Sequence, residues 1–341
     1  FLKLINTMSK KELIELKAAY KQVNEKFKPV LIFHVGESAG FFSEFNCMIL
    51  AMLYCLQHGI QFKLYSKDAN FGYDKGWTDY FEPFCEEVNS RWHHWINMRP
   101  TGSWFSILKK KDFNLFKWKL KKSIFNLIAK GWKLCHPNIY LTQDIWDKAL
   151  LKDQRFCEYD IPELNIKGDI LQACEILVEI TWKYRIDISE KICDYMSDLN
   201  LNRDFISCHI RAGDKYIEYD LLTVDIYIEY LKKYLDIKDV FVLTDDYSVI
   251  KKLKILFPQW NWHTLCNINE HGYVHAEFKQ NSEMEKRNQL IKFFASIEIL
   301  HLSNVFLGTV TSNPSVFSSL RDPYKTLFVD YKEDVFSFIL S

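Results

Sequence analysis

Glycine and proline are scarce in this chain, at 11 and 8 residues of 341, where an average composition gives them about 12% together. That excludes a collagen-like or low-complexity chain and leaves no room for a flexible Gly/Ser linker. No run of 18 or more apolar residues occurs, so no spanning helix is expected. The opening FLKLINTMSKK lacks the pattern of a signal peptide. The nine cysteines contain no CxxC pair, which argues against a zinc ribbon or a thioredoxin-type site. Their odd number, and the place of Cys47 and Cys55 inside apolar runs, fit small core residues in a reducing compartment. An excess of positive charge is also missing: Lys+Arg and Asp+Glu both count 44. A general nucleic-acid binder carries a basic excess, so none is expected as a partner. The expected location is the cytoplasm, with a peripheral contact on the inner face of a membrane left open by one basic segment.

Aromatic residues, by contrast, are abundant at 16%, within a globular 48% apolar and 26% charged composition. The length suggests two domains at about 150 residues each. Ser9 with Glu12 spells a capping box for a helix over 10–27. A buried strand over 30–35 follows, then a glycine-containing loop. A helix over 44–58, closed by Gly59, leads into a strand over 60–65. A Trp-rich middle from 68 to 200 reads as helical. Strand and helix then alternate clearly. Strands are expected over 205–210, 240–244, 263–265, 305–307 and 326–329. Helices are expected over 223–235, 247–257, 283–302 and 312–320. The expected architecture is α/β with two facing Rossmann-like domains and a cleft between them. Residues 1–198 form an acceptor-side domain with a helical insertion, and 199–341 form a nucleotide-sugar domain.

Three of these strands run into polar clusters. The first gives His209, Arg211, Asp214 and Lys215. In an open α/β sheet the ligand crevice lies at the carboxyl ends of the strands, and an Arg there suits a phosphate; the alternative is a salt-bridged structural Arg. The second gives Asp245 and Asp246. These read as a helix N-cap, a metal site, or a hydrogen-bonding pair for a ribose or base. The third gives Gly308, Thr309, Thr311, Ser312 and Asn313, either a helix-terminus anion site or ordinary capping. Together they describe a pocket for a nucleoside diphosphate.

HIRAGDK, VFVLTDD and VFLGTVTSN, in this order, resemble the sugar-donor motifs of the fucosyltransferase superfamily, which joins α1,2-, α1,6-, protein O- and nodulation fucosyltransferases. The likeness is detailed over about the last 130 residues and looser over Gly40–Asn46 and Lys75–Phe81. It implies a GT-B fold and an inverting, metal-independent transfer of fucose from GDP-fucose to a glycan, with no cofactor. It assigns Arg211 to the β-phosphate, and His209, Asp214, Lys215, Asp245, Asp246, Thr309, Thr311, Ser312, Gly40 and Asn46 to the donor side. Ala212 stands where the α1,6 branch often has a second Arg. Ser296, with Glu298 two residues on, stands where that branch has a guanine-reading Asp. Tyr219 stands at the position of the branch's base, so the flanking Glu218 and Asp220 become the candidates, ahead of Glu37 and Glu44. Two other readings stay open: transfer from another GDP-sugar, and a non-catalytic nucleotide-sugar or glycan-binding protein.

One segment belongs to none of these motifs. Between Arg99 and Lys133 stand ten basic residues and a single acid, Asp112, with apolar Phe113, Phe116, Leu120, Ile124, Leu127 and Ile128 at helical spacing. It reads either as a membrane-surface helix over 109–133 or as an insertion helix packed on its own domain.

Overall fold

The structure, a computed structural model, describes residues 9–37, 39–100, 113–150, 154, 157–212, 224–272, 278 and 280–330. In chain order the elements are α1 (Lys10–Glu25), β1 (Val30–His34), α2 (Phe41–His58), β2 (Gln61–Tyr65), α3 (His93–Ile96), α4 (Phe113–Cys135), β3 (Ile139–Leu141) and α5 (Thr142–Ala149). The hairpin of β4 (Tyr159–Ile161) and β5 (Ile166–Gly168) comes next, then α6 (Ile170–Thr181) and α7 (Ile186–Ser197). The last stretch contains β6 (Phe205–His209), α8 (Val224–Leu231), β7 (Asp239–Leu243), α9 (Tyr247–Leu256), β8 (Asn261–His263), α10 (Glu283–Leu302), β9 (Val305–Gly308), α11 (Asn313–Arg321) and β10 (Thr326–Phe328).

Local chemistry sets many of these limits. The Ser9–Glu12 capping box opens α1, and Gly59 closes α2 at φ 64°, a left-handed position where glycine carries no steric cost. Helix α2 begins three residues earlier than its periodicity suggests, at Phe41, because Phe41 and Phe42 are core residues.

Two parallel sheets result. One has the order β2-β1-β3, the other β10-β9-β6-β7-β8. The α/β class and the pair of parallel, Rossmann-like sheets agree with the GT-B expectation. The Trp-rich middle is not wholly helical: it donates β3 to the first sheet, paired Val30 to Ile139, and folds β4 and β5 into an antiparallel hairpin.

The aromatic surplus sits where the two halves of the chain meet. Phe42 lies 4.9 Å from Phe317, Trp182 lies 4.4 Å from Phe317, and Phe41 lies 5.1 Å from Phe294, centroid to centroid. One hydrophobic cluster therefore includes Leu31 and Phe33 of β1 as well as Phe241 of β7 and Phe306 of β9. Such aromatic pairs contribute about 0.5–1.5 kcal/mol each beyond their burial. Trp77 and Phe81, in the segment that resembles the family's aromatic stretch, are fully buried members of this core. The turn before them is drawn around the Asp79 carboxylate, which accepts the N–H groups of Tyr73, Asp74, Lys75 and Gly76 at 2.7–3.0 Å.

Candidate active site

Strand order locates the crevice. From β6 the chain moves to β7 and β8 on one side, then returns to place β9 and β10 on the other. The direction of winding reverses between β6 and β9, and at such a switch point the loops leave in opposite directions and open a crevice at the carboxyl ends. His209 ends β6 and Gly308 ends β9, so two of the three polar motifs meet at that point.

They meet in contact. The Nδ1 of His209 lies 3.1 Å from the Ser315 hydroxyl and 3.2 Å from the Ser312 hydroxyl. Burial, with the Arg211 charge nearby, lowers the His209 pKa to about 3, so the ring is neutral near pH 7. Its backbone carbonyl accepts the Tyr227 hydroxyl of α8 at 2.8 Å. Gly308 permits the approach: a Cβ there would come 2.7 Å from the Ser315 Oγ. Ser312 is the N-cap residue of α11 but makes no side-chain cap bond; its hydroxyl turns to His209 instead. The first turn of α11 thus has no side-chain cap, and helix N-termini carry partial positive charge. Thr309 is buried and Thr311 half-buried beside it.

Arg211 and the acidic pair form the other wall. The Arg211 Nε lies 3.1 Å from Asp245 Oδ2, with a quarter of the arginine side chain exposed. Asp245 Oδ1 accepts the Ala212 N–H at 2.9 Å. Asp246 caps α9, accepting the Ser248 N–H at 2.8 Å. The two adjacent acids thus diverge, one to the arginine and one to a helix. Among the described residues no group of three or more His, Cys, Asp or Glu is placed to hold a metal ion.

The remaining residues singled out in the sequence have varied placements. Gly40 is the N-cap of α2, and a Cβ there would meet nothing within 4 Å. Asn46 joins the two halves: its amide donates to the Asn313 carbonyl at 3.1 Å, at the start of α11. Ser296 is buried on α10 and donates to the Lys292 carbonyl at 3.1 Å. Glu298 has no exposed surface. Its carboxylate accepts from the two terminal Arg321 nitrogens at 2.9 and 3.0 Å, the Trp182 indole N–H at 2.7 Å and the Tyr184 hydroxyl at 2.9 Å. That placement pins α10 and α11 to the segment after α6 and leaves a base edge no approach to Glu298. Asp214, Lys215, Glu218 and Asp220 lie outside the described residues. Glu37 pairs with Lys122 and accepts the Arg99 N–H at 2.7 Å. Glu44 is sealed with Arg99 at 2.9 Å.

Two polar groups had no local signal in the sequence. Asp330, after β10, accepts the Val310 N–H at 3.0 Å and so shapes the Thr309–Ser312 turn. At the carboxyl edge of the first sheet, the Asp68 carboxylate bridges His34 of β1, at 3.0 Å, and the half-exposed His94 of α3. These three residues stand 34 and 26 positions apart, so no motif spelled them.

No protein-family model matches the chain, and no curated protein matches it. Solved structures are similar in fold. A mutant of Arabidopsis thaliana FUT1 in complex with GDP gives a TM-score of 0.50 at 10% identity, covering 95% of this chain and 79% of that one. The fucosyltransferase NodZ from Bradyrhizobium gives 0.48 at 11% identity, over 85% and 92% of the two chains. POFUT1 in complex with GDP gives 0.45 at 12%, over 88% and 98%. With the Arabidopsis fucosyltransferase, this chain has a fold in common.

Proposed function

We propose that this protein is a glycosyltransferase that moves fucose from GDP-fucose to a glycan hydroxyl, with inversion and without a metal ion. The observation that supports it most is the contact of His209 with Ser312 at the switch point of a five-stranded parallel sheet, with Arg211 two residues further along the chain from His209. The fold in common with a GDP-bound fucosyltransferase supports the nucleotide.

In this reading the diphosphate lies across the uncapped first turn of α11, against Thr311 and Ser312, with Arg211 on its β-phosphate. The acceptor oxygen attacks the anomeric carbon as the bond from that carbon to the phosphate oxygen breaks. The departing GDP takes the electron pair, and the Arg211 guanidinium neutralises the charge that develops. The acceptor proton goes to a carboxylate, Glu218 ahead of Asp220. Residues 1–198 supply the acceptor side.

A screen of nucleotide sugars, read as released nucleotide with and without a glycan mixture, tests this. Release of GDP from GDP-fucose, raised by acceptor, is the expected result. Turnover of another GDP-sugar alone would change the donor, and binding of GDP-fucose without turnover under any condition would favour a binding protein.

A further inference from the structure

Helix α4 packs on its own domain through the face that carries the buried Ala129 and the half-buried Trp132, against Ile96 and Leu141. Phe125 stacks on Trp95 of α3 at 5.1 Å on the same side. The apolar stripe faces the other way. Leu120, Ile124, Leu127, Ile128 and Leu134 recur at the helical period, and they are 47%, 51%, 67%, 44% and 85% exposed. The helix is packed on its own domain, through the small Ala129 and Trp132, and the aliphatic residues of the stripe stand in solvent. Over about 21 Å at 1.5 Å per residue, five large aliphatic side chains are exposed along one face of the helix, which a water-soluble surface does not normally show.

Charge selects the occupant. Helix α4 has six lysines and no acid in its 23 residues. Lys122 and Lys133 are held by Glu37 and Asp144, and Lys119 is buried. Lys117, Lys121 and Lys130 are exposed beside the stripe. Lys121 lies over the Trp95 ring at 4.8 Å. A second copy docked stripe to stripe would set lysine against lysine. An anionic bilayer meets both parts of this surface: aliphatics enter the acyl boundary, and lysines meet phosphate and carboxylate headgroups.

We infer that the outward face of α4, Leu120 to Leu134, is a docking surface for an anionic lipid bilayer. It holds the protein flat against a membrane, independently of any transfer activity.

Co-sedimentation of the full chain with phosphatidylcholine vesicles, with and without 30% phosphatidylserine, tests this. Binding should require phosphatidylserine and fall as salt is raised from ~0.1 to ~0.5 M. The double variant Ile124→Glu/Leu127→Glu should weaken binding about tenfold or more, with unchanged circular dichroism, because both side chains are already in solvent. Lys121→Gln/Lys130→Gln should weaken it by about 25-fold, each exposed lysine counting for about fivefold. Equal recovery in the supernatant with all vesicles overturns the inference. So does equal, salt-insensitive binding to both vesicle types, or a dimer in size-exclusion chromatography that Leu127→Glu dissociates while wild type ignores the vesicles.

Discussion

Asp245 forms an ion pair with Arg211, Oδ2 3.1 Å from Nε, and its Oδ1 accepts the Ala212 N–H at 2.9 Å. The guanidinium is planar, so its nitrogens form a fixed fork, the shape that receives two phosphate oxygens, and the Asp245 carboxylate lies beside it at ion-pair distance. Arg211→Ala should therefore cost about 3–4 kcal/mol of barrier lowering, by analogy with loss of a charge-stabilising donor. Arg211→Lys should recover little. Asp245→Asn should lower kcat less than either, by leaving the fork poorly aimed. Steady-state release of GDP from GDP-fucose measures all three, and near wild-type turnover in folded Arg211→Ala would sink the assignment.

The strand ends were legible because each is a buried run that stops abruptly at polar residues. Phe205–His209, Asp239–Leu243 and Val305–Gly308 are buried over nearly their whole length, and burial on both faces writes a continuous apolar word into the sequence. Strand β3 was not legible: three residues, half-buried at Ile139 and Tyr140, follow a long helix and give no period. Periodicity exposed the stripe of α4 but not the direction it faces, since that depends on Ala129 and Trp132 finding Ile96 across the fold. Glu298 illustrates a further limit. Its sequence neighbourhood resembles a nucleotide-reading position, and only tertiary placement reveals the four groups that occupy it.

Transfer should survive excess chelator. Asp245 and Asp246 point to an arginine and to a helix cap respectively, and the arginine is assigned the charge-neutralising role that a cation fills elsewhere. Complete loss of activity with EDTA, restored by Mn²⁺, would overturn this.

The pair of Glu298 and Arg321 should matter to stability rather than to turnover. Burial works against the charge on Glu298, but the Arg321 guanidinium holds its pKa below the usual carboxylate value. Arg321→Met leaves that carboxylate buried and unpaired, a loss of about 3–5 kcal/mol. Glu298→Leu/Arg321→Met removes both charges and should recover much of it. Urea midpoints of the two variants measure the difference; equal midpoints would contradict the pairing.

For the base, Glu218→Gln and Asp220→Asn separate the candidates. The residue that takes the acceptor proton should lose turnover by as much as ~10²–10⁴-fold while calorimetric binding of the donor stays intact. Full transfer by both variants would remove the assignment from this segment.

The pH dependence of stability should carry the signature of His34 and Asp68. The Nδ1 of His34 faces the Asn97 carbonyl at 2.6 Å, and its Nε2 faces Asp68 Oδ1 at 3.0 Å. Both partners accept, so both ring nitrogens carry hydrogen and the buried ring is an imidazolium. Burial pushes its pKa down, but Asp68, the Asn97 carbonyl and Glu37 together outweigh burial and raise it above 6.5. Burial likewise opposes the Asp68 charge, yet His34 and His94 bring its pKa from 3.8 to about 2. A raised imidazole stabilises the fold below about 6.5 and stops doing so as pH climbs through its folded value. A lowered carboxyl stabilises the fold above about 3.8 and stops as pH falls toward 2; that side alone corresponds to ~2 kcal/mol. The pair is thus fully effective between about pH 4 and 6.5. Asp68→Asn should open a larger gap from wild type in urea midpoint at pH 5 than at a pH above the raised His34 value, where the ring is neutral and an amide serves it nearly as well. An equal gap at the two pH values would mean that the ring is neutral throughout and that Asp68 acts only as a hydrogen-bond acceptor.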